Sequence, residues 1–440
     1  MTLPIFAAYE RFAASLERSQ WLPRPALEAY QRKLLERLAA FAYTNSQFYA
    51  DRLRPLFRHG NEPDLDAWRD VPILTRRDVA AEIDRINPST VPDDVGPVTL
   101  QRSSGTTDDQ ITFRTCYLSQ MAAACMMQRL YRWRGLDLSA PMASIRYYGP
   151  GQREYPEGLT ESQWAYPGPQ AQHHTLNLGP PIAQLVEWLT RKRPTYLITL
   201  PSIAQEIALH ADASILERIN IKAVIGVSEP TTQLTRTSVR EGLHCEIFEV
   251  YAAGEVGCIA VQSPVDNSYL VCDETTLVEI VDEAGGPVGP GETGRVIVTG
   301  LYNYATPFIR YEVGDFATRV ATPCPSGRTL SRLQRIEGRR RNALMTADGR
   351  RIWMHDVLDA ECVRRLPAVR LQILQSAISK IEICYIPRDR AVPIDRDGLV
   401  AYLSAFIGQP IELQLSAVDT LPRTIGGKHE SLVSKLAANA

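Results

Sequence analysis

Residues 26–42, "ALEAYQRKLLERLAAFA", place Leu27, Tyr30, Leu34, Leu38 and Phe41 three and four positions apart, which is one apolar stripe of a packing helix. The runs "GPVTLQR" and "ITFRTCYL" are rich in β-formers and flank a polar loop, so they predict two strands, followed by a helix through "SQMAAACMMQRLYRW" whose Met and Ala positions read as core. From about 180 to 260 the pattern alternates. The helical "IAQLVEWLTR" and "SIAQEIALHA" interleave with the short apolar β runs "TYLITL", "KAVIGV" and "CEIFEVY". That alternation predicts an α/β region with a parallel sheet, where ligands bind at the carboxyl ends of the strands. After 265 the glycine-turned segment "TLVEIVDEAGGPVGPGETGRVIVTG" predicts an antiparallel or barrel-like subregion. The last hundred residues restart as strand "KIEICYIP", helix "DGLVAYLSAFIG" and strand "IELQLSAV", a compact α+β pattern. The predicted fold class is therefore α/β, with a large amino-terminal part of parallel-rich sheets and a β-rich subregion, and a small α+β carboxyl-terminal domain.

Length and charge narrow the chemistry. A chain of 440 residues with 45% hydrophobic content is large enough for two or more domains. A formal net charge of -2 lacks the basic excess that nucleic acid or an anionic membrane would require, so small-molecule chemistry is expected, with no nucleic acid and no membrane partner. The amino terminus reaches Glu10 and Arg11 too soon for a secretory apolar core, and no apolar run approaches a membrane span. The expected location is cytoplasmic. The eight cysteines show no C-x-x-C spacing and read as reduced small hydrophobes, while the adjacent His173 and His174 read as surface residues rather than ligands.

The candidate chemistry sits in short polar motifs. No G-x-x-x-x-G-K-[ST] follows a strand, and Arg102 stands where a G-x-S-x-G elbow would need its first glycine. Ser103, Ser104, Gly105, Thr106 and Thr107 form a hydroxyl-rich run in which Gly105 lets backbone N–H groups turn inward around an anion. "YAAGEVG" places Glu255 behind a β run, "IRYEVGDF" places Asp315 behind a glycine, and "LPRTIGGKHESL" presents Lys428 on a glycine-flexed loop. Each alone reads equally as a turn, a cap or a solvated terminus.

Together and in this order, "NSQFYADRL", "VPILTRRDV", "SSGTT", "GVSEP", "YAAGEVG", "TPFIRYEVGDF", "RIEGR" and "PRTIGGK" resemble the adenylate-forming superfamily, most closely the phenylacetate–coenzyme A ligase family. The resemblance covers nearly the whole chain. It implies an amino-terminal adenylation domain over 1–337 for ATP and acid, and a mobile carboxyl-terminal domain over 338–440. It implies that Glu255 helps hold Mg²⁺, that Asp315 receives the ribose hydroxyls with Arg339 nearby, and that Tyr251 stacks on adenine beside Ser228, Glu229 and Pro230. Lys428 matches the lysine that bridges carboxylate and α-phosphate. Tyr147, Tyr148, Gly149, Ala252 and Ala253 match the acyl pocket, and Arg341 the hinge. ATP, Mg²⁺ and coenzyme A are the implied cofactors, a small carboxylic acid, aromatic or arylacetic, the implied substrate, and a homodimer is left open.

The chain also departs from that family. Asp108, Asp109 and Gln110 stand where the family's loop continues as glycine, lysine and proline, which removes a cationic phosphate contact and adds two acids. Gly254 replaces a hydroxyl residue, and Asn342 follows Arg341 where the family has acids. Ser263 and Ser326 occupy cysteine-like positions and only Cys324 remains of that pair, so zinc is not expected. Transfer of the acyl group to an amine or carrier protein, and adenylate binding without turnover, remain alternatives; the joint presence of Glu255, Asp315 and Lys428 speaks against the latter.

Overall fold

The structure is a computed structural model that describes residues 2–103, 110–165, 168–210, 212–320, 322–358, 360–424 and 426–436. It divides into two compact units, one of Met1–Leu138, Ala165–Pro169 and Val250–Ile336, the other of Ser139–Trp164, Gln170–Glu249 and Glu337–Ala440.

In the first unit the stripe read in 26–42 becomes the helix Arg24–Asn45, which buries Leu27, Gln31, Leu35, Leu38, Ala39 and Ala42. The buried face is rotated slightly from the apolar stripe because Gln31 turns inward, its amide donating to the carbonyls of Asp273 and Thr276 at 2.9 Å each. The helix Tyr117–Trp133 buries Met121, Ala122 and Met126 as read, but also Arg129. That guanidinium pairs at 2.7 Å with Glu274, both side chains being 1% exposed. Burying two charges is tolerable only as such a pair.

The two strands flanking the polar loop are Val98–Arg102 and Thr112–Cys116, an antiparallel pair. Antiparallel strands follow in the β-rich segment: Thr276–Val281 pairs with Thr293–Gly300, which pairs with Tyr311–Arg319. Just before the last of these, Arg310 adopts φ 50°, a left-handed conformation that costs a non-glycine residue on the order of 1 kcal/mol. Its side chain holds it there. The guanidinium reaches both carboxylate oxygens of Glu279 at 3.0 and 3.2 Å and donates to the carbonyls of Arg69 and Val71 at 3.0 and 2.5 Å.

The second unit contains the expected parallel sheet. His173–Asn177, Met142–Arg146, Tyr196–Thr199 and Ala223–Gly226 run parallel in that order, with residues 246–249 beyond, while the edge strand Leu159–Glu161 is antiparallel. The helices Ile182–Lys192 and Pro201–His210 cover it, burying Trp188, Leu189, Ile203 and Ile207. The surface reading of His174 is corrected here. On the strand it points away from His173, is only 4% exposed, and meets the Trp188 ring edge-on at 6.4 Å because helix Ile182–Lys192 covers that face.

The carboxyl-terminal residues build a core of their own from Leu344 to Leu432. Glu412–Ala417, Lys380–Pro387, Ala368–Ala377 and Leu432–Ser434 form a four-stranded sheet in that order. Helix Arg396–Ile407 buries Leu399, Leu403 and Ile407 and is capped by Asp395, which accepts from the N–H of Gly398. The seven cysteines at 116, 125, 245, 258, 272, 324 and 362 are buried thiols, and Cys384 is half-buried.

Candidate active site

The first unit gathers one group of motif residues. Glu255 lies in the turn between strand Glu246–Ala253 and strand Gly257–Gln262, where Gly257 at φ 80° makes the reversal. Only 6% of its side chain is exposed. Its Oε1 accepts from Arg76 Nη1 at 3.1 Å and from the Tyr311 hydroxyl at 3.2 Å. Burial and the adjacent Glu255 carboxylate push the Tyr311 hydroxyl pKa upward, so it serves as a donor.

Arg76 opens helix Arg76–Ile86, whose start is set by a reciprocal cap: Thr75 Oγ1 accepts from the N–H of Asp78, and Asp78 accepts from the N–H of Thr75. From there its second guanidinium nitrogen donates to Ser103 Oγ at 2.5 Å. Ser103 in turn closes the base of the polar loop, donating its backbone N–H to the Ile111 carbonyl at 3.0 Å and accepting the Ile111 N–H on its hydroxyl at 3.1 Å. One guanidinium thus joins the first residue of the "SSGTT" run to Glu255. Ser104, Gly105, Thr106, Thr107, Asp108 and Asp109 lie outside the described residues.

Tyr251 and Asp315, assigned by resemblance to adenine and ribose, are also brought together. The Tyr251 hydroxyl donates to Asp315 Oδ2 at 3.0 Å. Gly254 is exposed, and among the described residues a Cβ built there would meet the Phe113 ring alone, at 3.7 Å, which leaves room for the hydroxyl residue of the family. Ala252 is exposed and Ala253 half-buried.

The second unit gathers the other group. Past strand Ala223–Gly226, Ser228 takes φ 71° and turns the chain so that Glu229 faces helix Pro201–His210. Glu229 Oε2 accepts the Ser202 N–H at 3.1 Å and Oε1 accepts the His429 N–H. Burial raises its pKa, opposed by those donors and by Arg423. His429 follows Lys428 directly, so the lysine loop is fastened onto the "GVSEP" segment.

The loop itself is a tight turn, with the Thr424 N–H to the Lys428 carbonyl at 2.9 Å and the Lys428 N–H to Thr424 Oγ1 at 3.1 Å. Gly427 at φ 77° lies so close to Leu178 that a Cβ would come within 2.1 Å of Leu178 Cδ2. Arg423 completes the anchor, donating to Ser202 Oγ at 2.9 Å, the Gly427 carbonyl at 2.8 Å and Glu206 Oε1 at 2.5 Å. Arg370 also pairs with Glu206. Burial, then the charges of Arg370 and Arg423, lower the pKa of His429 to about 4, so its ring is neutral.

At the carboxyl ends of the parallel strands, Asn177 organises the "RYYGPG" turn. It accepts the Tyr148 N–H at 3.2 Å and donates to the Gly149 carbonyl at 2.7 Å. Tyr147 is exposed and Tyr148 half-buried. Arg339 ends strand Arg332–Arg339, with its N–H on Asn342 Oδ1 at 3.2 Å, and Arg341 Nε donates to Glu430 at 2.8 Å. Arg76, Glu206, Arg370 and Arg423 were not singled out from sequence. The "TRRD" cap beside an apolar period was the available signal for Arg76, whereas the others carry none.

No protein-family profile matches the chain. It is 28% identical over 157 residues to a phenylacetate–coenzyme A ligase of Thermus thermophilus, a match that covers 33% of this chain and 34% of that protein. The chain thus spans, in that match, about a third of the curated relative's length. Among solved structures it resembles a 2-hydroxyisobutyryl-CoA ligase in the postadenylation state in complex with 2-HIB-AMP, with a TM-score of 0.75 at 17% identity over 95% of this chain and 92% of that one. It also resembles a benzoate CoA ligase from Burkholderia xenovorans, with a TM-score of 0.53 at 15% identity over 78% and 68% of the two chains. Among the described residues no helix is long and apolar enough to cross a membrane. The chain has the fold of the adenylate-forming coenzyme A ligases.

Proposed function

We propose that the protein is an AMP-forming ligase that activates a carboxylic acid with ATP and transfers the acyl group to coenzyme A. One observation carries the reading: the Lys428 loop and the "GVSEP" segment, 200 residues apart, meet directly through the His429 N–H and the Glu229 carboxylate. A lysine near a chain terminus that is only a solvated surface residue has no need of an anchor made from Glu229, Ser202, Glu206 and Leu178.

A carboxylate is a poor acyl donor because its leaving group would be oxide. Attack by its oxygen on the α-phosphorus of ATP forms a P–O bond, breaks the bond to pyrophosphate and yields an acyl-adenylate. The Lys428 ammonium stabilises the charge shared by carboxylate and α-phosphate in that step. The coenzyme A thiolate then attacks the adenylate carbonyl, and AMP leaves. Tyr251 and Asp315 take adenine and ribose, with Arg339 and the segment Ser228, Glu229 and Pro230 completing the nucleotide contacts. Tyr147, Tyr148, Gly149, Ala252 and Ala253 hold the acid, and residues 338–440 move as a domain about Arg341.

Glu255 fits a Mg²⁺ ligand. Its Oε1 accepts from Arg76 and Tyr311, and Oε2 is the hard oxygen that would hold a Mg²⁺ ion. When bound, that ion would neutralise charge on the triphosphate.

The test is pyrophosphate release across a panel of carboxylic acids, with and without coenzyme A, on the parent and on Lys428→Ala. Acid-dependent release is expected in the parent and its loss in the variant, while a chemically prepared acyl-adenylate is still consumed by coenzyme A. Absence of release with every acid overturns the reading; consumption of the adenylate by an amine but not by coenzyme A moves the acceptor.

A further inference from the structure

Strands Met142–Arg146 and His173–Asn177 are paired in parallel with Arg146 opposite Asn177, so both end at the edge where parallel sheets take ligands. Beyond that edge the chain loops out through Tyr147 and Tyr148 and returns to Arg153. Asn177 pins both arms of the loop. Besides its side-chain bonds to Tyr148 and Gly149, its backbone N–H donates to the Arg153 carbonyl at 2.8 Å. Arg153 is held at φ 54°, a left-handed turn that redirects its side chain back over the loop.

The guanidinium carbons of Arg146 and Arg153 lie 5.5 and 4.0 Å from the centroid of the same Tyr148 ring. Two like charges converge there, and among the described residues neither forms an ion pair. Two carboxylates of this region are engaged elsewhere, Glu154 by the Gly151 N–H and the Asn177 amide at 3.1 Å each and Glu187 by the Tyr155 hydroxyl at 2.7 Å, while Glu161 lies 3.9 Å from the His173 ring and, among the described residues, forms no ion pair with either arginine. The Tyr148 hydroxyl is buried and makes no hydrogen bond among the described residues. Burial and then the two arginines lower the pKa of His173 to about 4, which registers the same positive field. A loop pinned by Asn177, with two guanidinia that lack a carboxylate partner among the described residues and a spare hydroxyl donor, is complementary to an anion.

We propose that Arg146 and Arg153 bind a second anionic group of the acid, so that the substrate is a dianion, one carboxylate being activated and the other charge held by this pair. The inference rests on the ligase reading and names its substrate class. The phosphate groups of coenzyme A offer the same chemistry from another source.

Adenylation is measured without coenzyme A, on matched pairs of acids that differ by one carboxylate on the same ring or chain, for the parent and for Arg146→Gln, Arg153→Gln and the corresponding lysine variants. In the parent, kcat/KM for the dianion should exceed that of its monoanionic partner at least tenfold. That ratio should fall toward one in each glutamine variant and recover in part in the lysine variants; because it is a ratio within one protein, general damage to the fold cancels. A preference for monoanions in the parent, unmoved by the variants, overturns the inference and leaves the ligase reading standing. An unchanged acid ratio with a raised KM for coenzyme A in the complete reaction overturns it in favour of the coenzyme's phosphate. If no acid of either kind releases pyrophosphate, the ligase reading fails and the inference with it.

Discussion

Replacing Glu206 with glutamine removes the charge that two guanidinia share. Arg423 donates to its Oε1 at 2.5 Å and Arg370 pairs with the same oxygen. The three side chains are 19%, 22% and 9% exposed, so water screens them only in part. Burial, followed by the charge of Arg423, already lowers the pKa of Arg370 to about 10, and in the variant the two cations would face each other with no carboxylate between them. Removing one member of such a group costs roughly 2–4 kcal/mol. Arg423 keeps its bonds to Ser202 and to the Gly427 carbonyl, so the lower end, about 2 kcal/mol, is the expected penalty, or roughly thirtyfold in the population of the anchored Lys428 loop. ATP–pyrophosphate exchange should therefore fall about ten- to thirtyfold in Glu206→Gln. Consumption of a prepared acyl-adenylate by coenzyme A, which does not need the lysine in place, should stay within about twofold. A urea midpoint close to the parent's would confirm that the fold persists. Equal loss of both half-reactions, or undiminished exchange, refutes the idea that Glu206 positions the loop.

Gly427→Ala combines a left-handed backbone with a contact at 2.1 Å on Leu178, so it should displace the loop and lower exchange by tenfold or more; pairing it with Leu178→Ala should restore part of the rate, and failure of any rescue would place the defect elsewhere. Asp108→Gly combined with Asp109→Lys should tighten ATP by about 1.5–3 kcal/mol if the acids oppose phosphate binding, and an unchanged or weaker affinity would show that they do not. His429 and His173, both lowered from 6.5 to about 4 chiefly by burial, stay neutral in the folded chain while the unfolded chain protonates, so stability should drop as pH falls from 6.5 toward 4, on the order of 2–3 kcal/mol per site. Denaturation midpoints measured across that window check it, and a flat profile would contradict the burial of these rings.

The helices and strands with strong periodicity were legible in the chain. The runs at 180–260 and after 380 fold as their patterns indicate, since alternation of short β runs with helical periods leaves few arrangements that bury both. The helix Arg24–Asn45 shows the limit of such reading: hydrophobicity alone marks Tyr30, Leu34 and Phe41, yet all three are only half-buried and Gln31 is inside, because two backbone carbonyls wait there for its amide. His174 was misread for a related reason. An imidazole looks polar in sequence, but a strand face beneath an indole accepts its apolar sides. At the candidate site the motif residues were visible and their supports were not. Glu206, Arg370 and Arg423 are ordinary charges in the sequence, and only the fold makes one carboxylate answer two distant guanidinia.

Arg310 carries a lesson about which substitutions a lineage could accept. Its position makes two demands at once: a backbone that tolerates φ 50°, and a planar fork that satisfies Glu279 together with two carbonyls. Glycine would meet the first demand and abandon the second, leaving Glu279, among the described residues, with the Trp68 indole at 3.1 Å. Lysine would carry charge but present a single point where four directed bonds are made, and it would keep the backbone penalty. Neither change meets both demands, so each should cost stability by a different route. The segment that leads into Asp315 thus depends on one side chain for its backbone geometry and its bonding together.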